Sequence, residues 1–475
     1  MIQVKLYTSG GTKTTFLFEE DQESPDFKKA NQKHIFHGKV SELVYLEEED
    51  RFLLGLGKKE EFSPEKLRLA SFQLSKVMKK HRIQEVEFDK PDFSICHKKT
   101  MLAICEGFYQ NEYHFTKKTS RKEENKDTTI HYTPAKEGKE DVLQDALDKQ
   151  KGLMEAYFFA RDLVNETSNI IYPESLAKKV VDHLAPIGVE VTIYDEKQIE
   201  EMGMKAYLAV AKGSDKPPRL IIMKYTGDPS EKEYFGLVGK GLTYDSGGYS
   251  LKPSSSMVTM HSDMGGAGAV IGTMYALAKN KAKANVIAVV AACENLVSGK
   301  AYKTGDIISS LSGKTIEVLN TDAEGRLTLA DAVYYITHEL GVSKLIDLAT
   351  LTGAALVALG EEYSAAVTND EAFYKEIEAA SKEAGDKIWL LPNDEVFRKM
   401  NESKVADLLN SPGRLAGTVT AGLFVGEFVK ESTPWIHLDI AGTAYIDKAN
   451  GYLPARATGA PIRTLYKYLA KEASC

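Results

Sequence analysis

Paired histidines, paired cysteines and long apolar runs are all missing from this chain. The 10 histidines are dispersed and no His-Glu-x-x-His occurs, which removes the common helical zinc-protease site. The 4 cysteines, Cys96, Cys105, Cys293 and Cys475, lack CxxC spacing, so neither a disulfide framework nor a cysteine zinc site is indicated. No run of about 18 apolar residues is present. The opening MIQVKLYTSGGTKTTFLFEE has no basic region followed by an apolar core. These absences point to a cytoplasmic protein without a membrane segment. A basic surplus is missing too. The formal net charge of -8 gives no electrostatic footprint for nucleic acid or an anionic membrane, and neither is an expected partner.

What is present is ordinary globular material: 475 residues, 43% hydrophobic and 27% charged, enough for two or three domains. Early strand-like runs (IQVKLYT, SELVYLEE, RFLLGLG, EVEFD) alternate with helical patterns such as SPEKLRLASFQLSKVMKKH and MLAICEGFYQ. Residues 117–141 are dense in charge and nearly free of large aliphatics, and read as a solvated edge or linker. The expected division is 1–141, a small α/β domain with its polar linker, and 142–475, a larger α/β domain entered through the amphipathic VLQDALDKQKGLMEAYFFARDLVN. In the second region VEVTIYD, RLIIMKY, YFGLVGK, NVIAVVAA, TIEVL, KLIDLAT and WIHLDIA read as strands, with helices between several of them. Near-continuous apolar strands imply a mixed, mostly buried sheet flanked by helices. Functional residues are then expected at strand ends and in the loops that follow.

Three segments gather charge at such places. NTDAEGRL, residues 320–327, fits a capping box through Thr321 and Glu324. It also offers EF-hand spacing, with Asp331 at the twelfth position, but the preceding KTIEVL reads as a strand where an EF-hand needs a helix. LVGKGLTYDSGGYSLKP, residues 237–253, sets Lys240 and Asp245 at a strand end, and MHSDMGG, residues 260–266, sets Asp263 before a glycine-rich helix. Singly, each acid fits a cap or turn. SLSGKT lacks the first glycine of a phosphate loop, GKG lacks the third glycine of a dinucleotide fingerprint, and DSGG has no histidine pattern to complete a triad. Should the strand ends converge, Asp245, Asp263, Asp322 and Glu324 would repel one another strongly without cations, and could hold two of them.

Taken in order, VGKGLTYDSGG, SLKP, SDMGG and NTDAEGRL resemble the signature segments of the leucyl (cytosol) aminopeptidase family. The resemblance runs from ARDLVNETSNIIYPESLA to ARATGAPIRTL. It implies metal-dependent release of N-terminal amino acids, preferably leucine and other apolar residues, from peptides by attack of a metal-bridging water. It implies a homohexamer. It makes Lys240, Asp245, Asp263, Asp322 and Glu324 ligands of two divalent ions, manganese or zinc with magnesium or cobalt as alternatives. Asp245 and Glu324 would bridge. Lys252 would polarise the scissile carbonyl, and Arg326 would position a bicarbonate that serves as general base. Met260, Asn320, Thr350, Leu351 and Gly353 match substrate-contacting positions.

Two positions depart from the family pattern: His261 stands where Lys or Arg is common, and Tyr244 where Phe is common. A surface histidine is the simpler account of His261. Two other classes of function remain open on sequence. A regulatory or DNA-binding protein on this scaffold would show degraded ligands, whereas all seven metal and catalytic positions are intact. A different two-metal hydrolase, such as a phosphatase, would act on phosphoesters.

Overall fold

The computed structural model describes residues 2–33, 36–115, 127–136 and 140–471. Two compact units emerge, Met1–Met154 with Ala449–Pro454 and Glu155–Lys448 with Ala455–Glu472.

The first unit is built on one six-stranded mixed sheet. Its strands are β1 (Ile2–Leu6), β2 (Thr12–Leu17), β3 (Leu43–Leu46), β4 (Arg51–Gly55), β5 (Glu85–Asp89) and β6 (Thr128–Thr133), ordered β1-β6-β5-β2-β4-β3. The helix Pro64–His81 starts where its pattern predicts, with Ser63 accepting from the Lys66 amide and Pro64 in the first turn. Its Leu67 and Leu74 join Met101, Ile104 and Phe108 of the helix His97–Glu112, and Val86, Ile130 and Tyr132 of the sheet, in one core. Strand β6 corrects the reading of 117–141 as a linker, because it pairs in parallel with both β1 and β5. Thr128, Thr129 and Ile130 are β-branched and suit a pleated strand, but the threonine hydroxyls disguise it among polar neighbours. Residues 117–126 and 137–139 of that stretch lie outside the described residues.

The second unit contains β7 (Glu190–Tyr194), β8 (Arg219–Thr226), β9 (Phe235–Asp245) and β10 (Asn285–Asn295). A small separate sheet holds β11 (Ile307–Ser309), β12 (Thr315–Glu317) and β16 (Leu408–Leu409). With β13 (Lys344–Ala349), β14 (Tyr363–Thr368), β15 (Lys387–Leu390) and β17 (Trp435–Asp439), the main sheet has eight strands ordered β15-β14-β17-β13-β9-β10-β8-β7. β17, β13, β9 and β10 are mutually parallel, while β8 and β14 run antiparallel to their inner neighbours. The α/β class with a mixed, buried sheet is therefore as expected, and β10 is buried at every position. β14 and β15 are additions; Ser364, Ala365 and Ala366 carry little strand preference.

The parallel core sets the site. In register, Asn295 lies opposite Asp245 and Ala349 opposite Asp439, so four carboxyl-terminal strand ends share one edge. Asp331, the last position of the rejected calcium loop, is buried away from that edge and accepts amides of Tyr207 at 2.9 Å and Leu311 at 2.7 Å. Burial pushes its carboxyl up to about 7. Cys105 and Cys293 are buried free thiols. Among the described residues no helix is long and apolar enough to cross a membrane.

Candidate metal centre

β9 delivers Lys240 from its middle and Asp245 from its end, both buried. Beyond Asp245 the chain turns back at Gly247 and returns Lys252, whose amide donates to the Ser246 carbonyl at 3.0 Å. Gly247 takes φ +85, and a Cβ there would lie 2.8 Å from Asp322 Oδ1, so the turn needs glycine. Lys252 Nζ then reaches Asp245 Oδ2 at 2.8 Å and Asp322 Oδ1 at 2.6 Å. Lys240 Nζ meets Asp263 Oδ2 at 2.8 Å and Glu324 Oε1 at 2.9 Å, and donates to the Thr350 carbonyl at 2.9 Å. Its ion pairs are thus with Asp263 and Glu324. Gly325 makes that approach feasible, since a Cβ would stand 2.5 Å from Lys240 Cε.

NTDAEGRL does not form a capping box. The helix Gly325–Tyr334 has no side-chain cap. The Thr321 hydroxyl instead donates to the Gly247 carbonyl at 2.7 Å and accepts from the Ser250 amide at 2.7 Å. Asn320 Oδ1 accepts from the Asp322 amide at 2.9 Å, a local turn that aims Asp322 toward Lys252. Asp263 is likewise no cap; its Oδ1 accepts from the Thr350 hydroxyl at 2.8 Å.

Four carboxylates therefore face two ammonium groups, a surplus of negative charge in a dry place. Burial raises the Glu324 carboxyl to about 8, with Asp245 adding to the effect. Asp263 rises to about 6 through burial, which Lys240 partly offsets. Asp322 is raised by burial and by Asp245. Burial alone would lower both lysines, but the surrounding carboxylates hold Lys240 and Lys252 above the ordinary range. Glu324 Oε2 is buried and accepts no hydrogen bond. Asp245, Asp322 and Glu324 each offer an oxygen, all within 4.8 Å of one another. Hard oxygen donors with a buried orphan acceptor fit divalent cations.

A cavity of ≈ 690 Å³ opens beside this cluster. Asn320, Asp322 and Arg326 line it, opposed by the mainly apolar set Leu351, Ala354, Val357, Leu391 and Val419, and Gly353 also contributes. Arg326 Nη1 donates to the Asn410 carbonyl at 2.7 Å, while its buried Nε has no partner. Burial lowers the guanidinium to about 10, still a cation at neutral pH. Of the expected substrate positions, Asn320, Leu351 and Gly353 line the cavity. Thr350 braces Lys240 and Asp263 instead, and Met260 sits in the short turn before Asp263. His261 corrects the surface reading. It is half-buried, edge-on to Tyr445 at 5.9 Å, and burial, then Arg456, lower its pKa.

Three contributors escape the sequence reading. Asn295 donates through Nδ2 to Asp245 Oδ1 at 2.8 Å and to the Thr321 carbonyl at 3.0 Å. Asp439 accepts from the Leu351 amide at 3.2 Å and the Thr352 hydroxyl at 2.6 Å, fixing the TLTG turn. Asn410 touches the NTDAEGRL loop directly, its Nδ2 donating to the Asn320 carbonyl. None carries a sequence signal of its own, because each acts through a partner far along the chain.

The catalytic-domain model of the cytosol aminopeptidase family matches residues 158–466, and the model of that family's N-terminal domain matches residues 16–122. The chain belongs to the cytosol aminopeptidase family. It is 50% identical over 469 residues, 98% of each chain, to the "Probable cytosol aminopeptidase" of Treponema denticola. It is also 50% identical over 424 residues to the protein of that name from Clostridium perfringens, covering 88% of this chain and 86% of the relative. Among solved structures, a point mutant of tomato leucine aminopeptidase superposes with TM-score 0.87 at 30% identity, covering 99% of this chain and 96% of the other. The bottromycin maturation enzyme BotP in complex with Mn superposes with TM-score 0.85 at 28% identity, covering 99% and 98%. As a member of the cytosol aminopeptidase family, the protein is a metallo-exopeptidase, a hydrolase that acts on peptides.

Proposed function

We propose that this aminopeptidase releases leucine and other apolar residues from peptide N-termini, using Lys240, Asp245, Asp263, Asp322 and Glu324 to hold two divalent cations. The observation that carries the reading is the surplus of buried carboxylate at one strand edge, with Glu324 Oε2 left without a partner beside Asp245 and Asp322. Asp245 and Glu324, the deepest of the carboxylates, are the bridging candidates. The amine of Lys240 is a ligand only once its proton has left. Manganese is the first choice, because a structural relative is a manganese complex; zinc, magnesium and cobalt compete for the same donors.

The cations supply Lewis acidity toward the scissile carbonyl and lower the pKa of the attacking water. The chain does the rest. Lys252, a cation fixed between Asp245 and Asp322, is placed to stabilise an oxyanion. Arg326 lines the cavity as a cation and would hold the bicarbonate base there. With the cations bound, the free α-amino group would be held at one of them with Asp263 assisting, which explains why a blocked N-terminus would be refused. The apolar wall of Leu351, Ala354, Val357 and Leu391 accommodates an aliphatic side chain beside Asn320 and Gly353, and the family resemblance adds Thr350 and Met260, which lie outside the cavity lining, as further substrate contacts. A cytoplasmic homohexamer completes the reading.

Hydrolysis of leucine p-nitroanilide with added manganese, abolished by a chelator and restored by metal, tests this activity. A folded, remetallated sample that cleaves phosphoesters but not the anilide would refute it.

A further inference from the structure

Asn410, next after β16, is fully buried, and its side-chain amide is saturated by a single loop. Oδ1 accepts from the Leu319 amide at 2.8 Å and the Asn320 amide at 3.3 Å. Nδ2 donates to the Asn320 carbonyl at 2.6 Å and the Ala323 carbonyl at 3.3 Å. A primary amide has two donors and two acceptor lone pairs, and all four are used here. Its main-chain carbonyl takes the Arg326 Nη1 donation, and its main-chain amide donates to the Glu317 carbonyl at 3.0 Å, tying it to β12.

The chemistry of the grip suits the place. The loop carries Asp322 and Glu324 into a cluster that already has a negative surplus, so its irregular backbone must be fixed without adding charge. An amide does this; a carboxylate would set its oxygens against the Asn320 and Ala323 carbonyls, and an apolar residue would take a partner from the Leu319 and Asn320 amides and from both carbonyls. We propose that Asn410 is a positioning residue that pre-forms the ligand loop 319–324, so that Asp322 and Glu324 face Asp245 before any cation arrives. Asn295, which joins Asp245 to the Thr321 carbonyl, works toward the same end from β10. This inference rests on the metal reading above.

The test uses full-length, chelator-stripped protein and Mn²⁺ alone, by titration calorimetry, on wild type, Asn410→Ala and Asn410→Asp. Loss of an outer positioning partner is expected to weaken Mn²⁺ binding about 10–100-fold. The alanine variant should keep kcat within about threefold at saturating Mn²⁺, because Arg326 is seated by the backbone carbonyl and not by the side chain. A KM and kcat that fall together with unchanged Mn²⁺ affinity would overturn the proposal. So would undiminished binding in both variants while wild type binds. Wild type that takes up no Mn²⁺ overturns the metal reading and this inference with it. Should the variants fail to fold, hydrogen exchange on metal-free wild type decides. Slow exchange at Leu319 and Asn320 supports a pre-formed loop; fast exchange that slows only with Mn²⁺ refutes it.

Discussion

In the N-terminal unit the buried charge is matched one to one. Arg68 Nε meets Glu106 at 2.8 Å, with the two side chains 10% and 9% exposed, while the Glu65 that Nη1 reaches at 2.9 Å is 34% exposed, so water shares its charge. In the second unit four carboxylates share two lysines, and one buried oxygen is left over. A buried pair matched one to one reads as architecture. An unbalanced one in a dry site is high in energy unless something completes it. The backbone tells the same story. In the first sheet β3 and β5 alternate between wetter and buried positions, whereas β10 in the second is buried throughout. A sheet covered on both faces isolates a charged cluster at its strand ends from water.

The comparison can be broken at either unit. The largest expected effect is Lys252→Ala, which removes the candidate oxyanion cation; kcat should fall about 10²–10³-fold, with metal content by mass spectrometry unchanged. Loss of metal along with turnover would make Lys252 a structural counter-ion instead. Next is Arg68→Met, which removes the guanidinium from the buried Arg68–Glu106 pair. Denaturant titration should show a loss of about 3–5 kcal/mol, while turnover of the folded fraction stays at the wild-type value. Gly325→Ala drives a methyl onto Lys240, and overpacking of this kind costs about 1–3 kcal/mol. Here, unlike at Arg68, the calorimetric Mn²⁺ affinity should fall too. The smallest effect is Leu391→Ala at the cavity wall, which should raise KM for leucine substrates by roughly 10-fold or less, about one to two methylenes' worth of contact, and leave kcat alone.

The catalytic half of the fold is the more readable in sequence because its strands are unbroken apolar runs, and burial on both faces leaves little choice of residue. β6 misleads because its threonines fit both a strand and a polar linker. The charged site residues are legible as residue types, and the structure gathers Lys240, Asp245, Lys252, Asp263, Asp322 and Glu324 into one cluster. Their supports are not legible. Thr321 satisfies a local capping rule, yet tertiary contacts with Gly247 and Ser250 take its hydroxyl. Asn295 and Asn410 are neutral amides without spacing, and their meaning exists only once β9, β10 and the end of β16 are brought together.

The central claim, that cations complete the surplus of carboxylate, is tested most directly by counting metal. After equilibration with Mn²⁺ and removal of excess, wild type and Glu324→Gln would be analysed for manganese per chain. The account predicts two ions in wild type and fewer than one in the variant, because Glu324 is proposed as a ligand of both ions. Wild type without bound manganese, or a variant that keeps two, would contradict it.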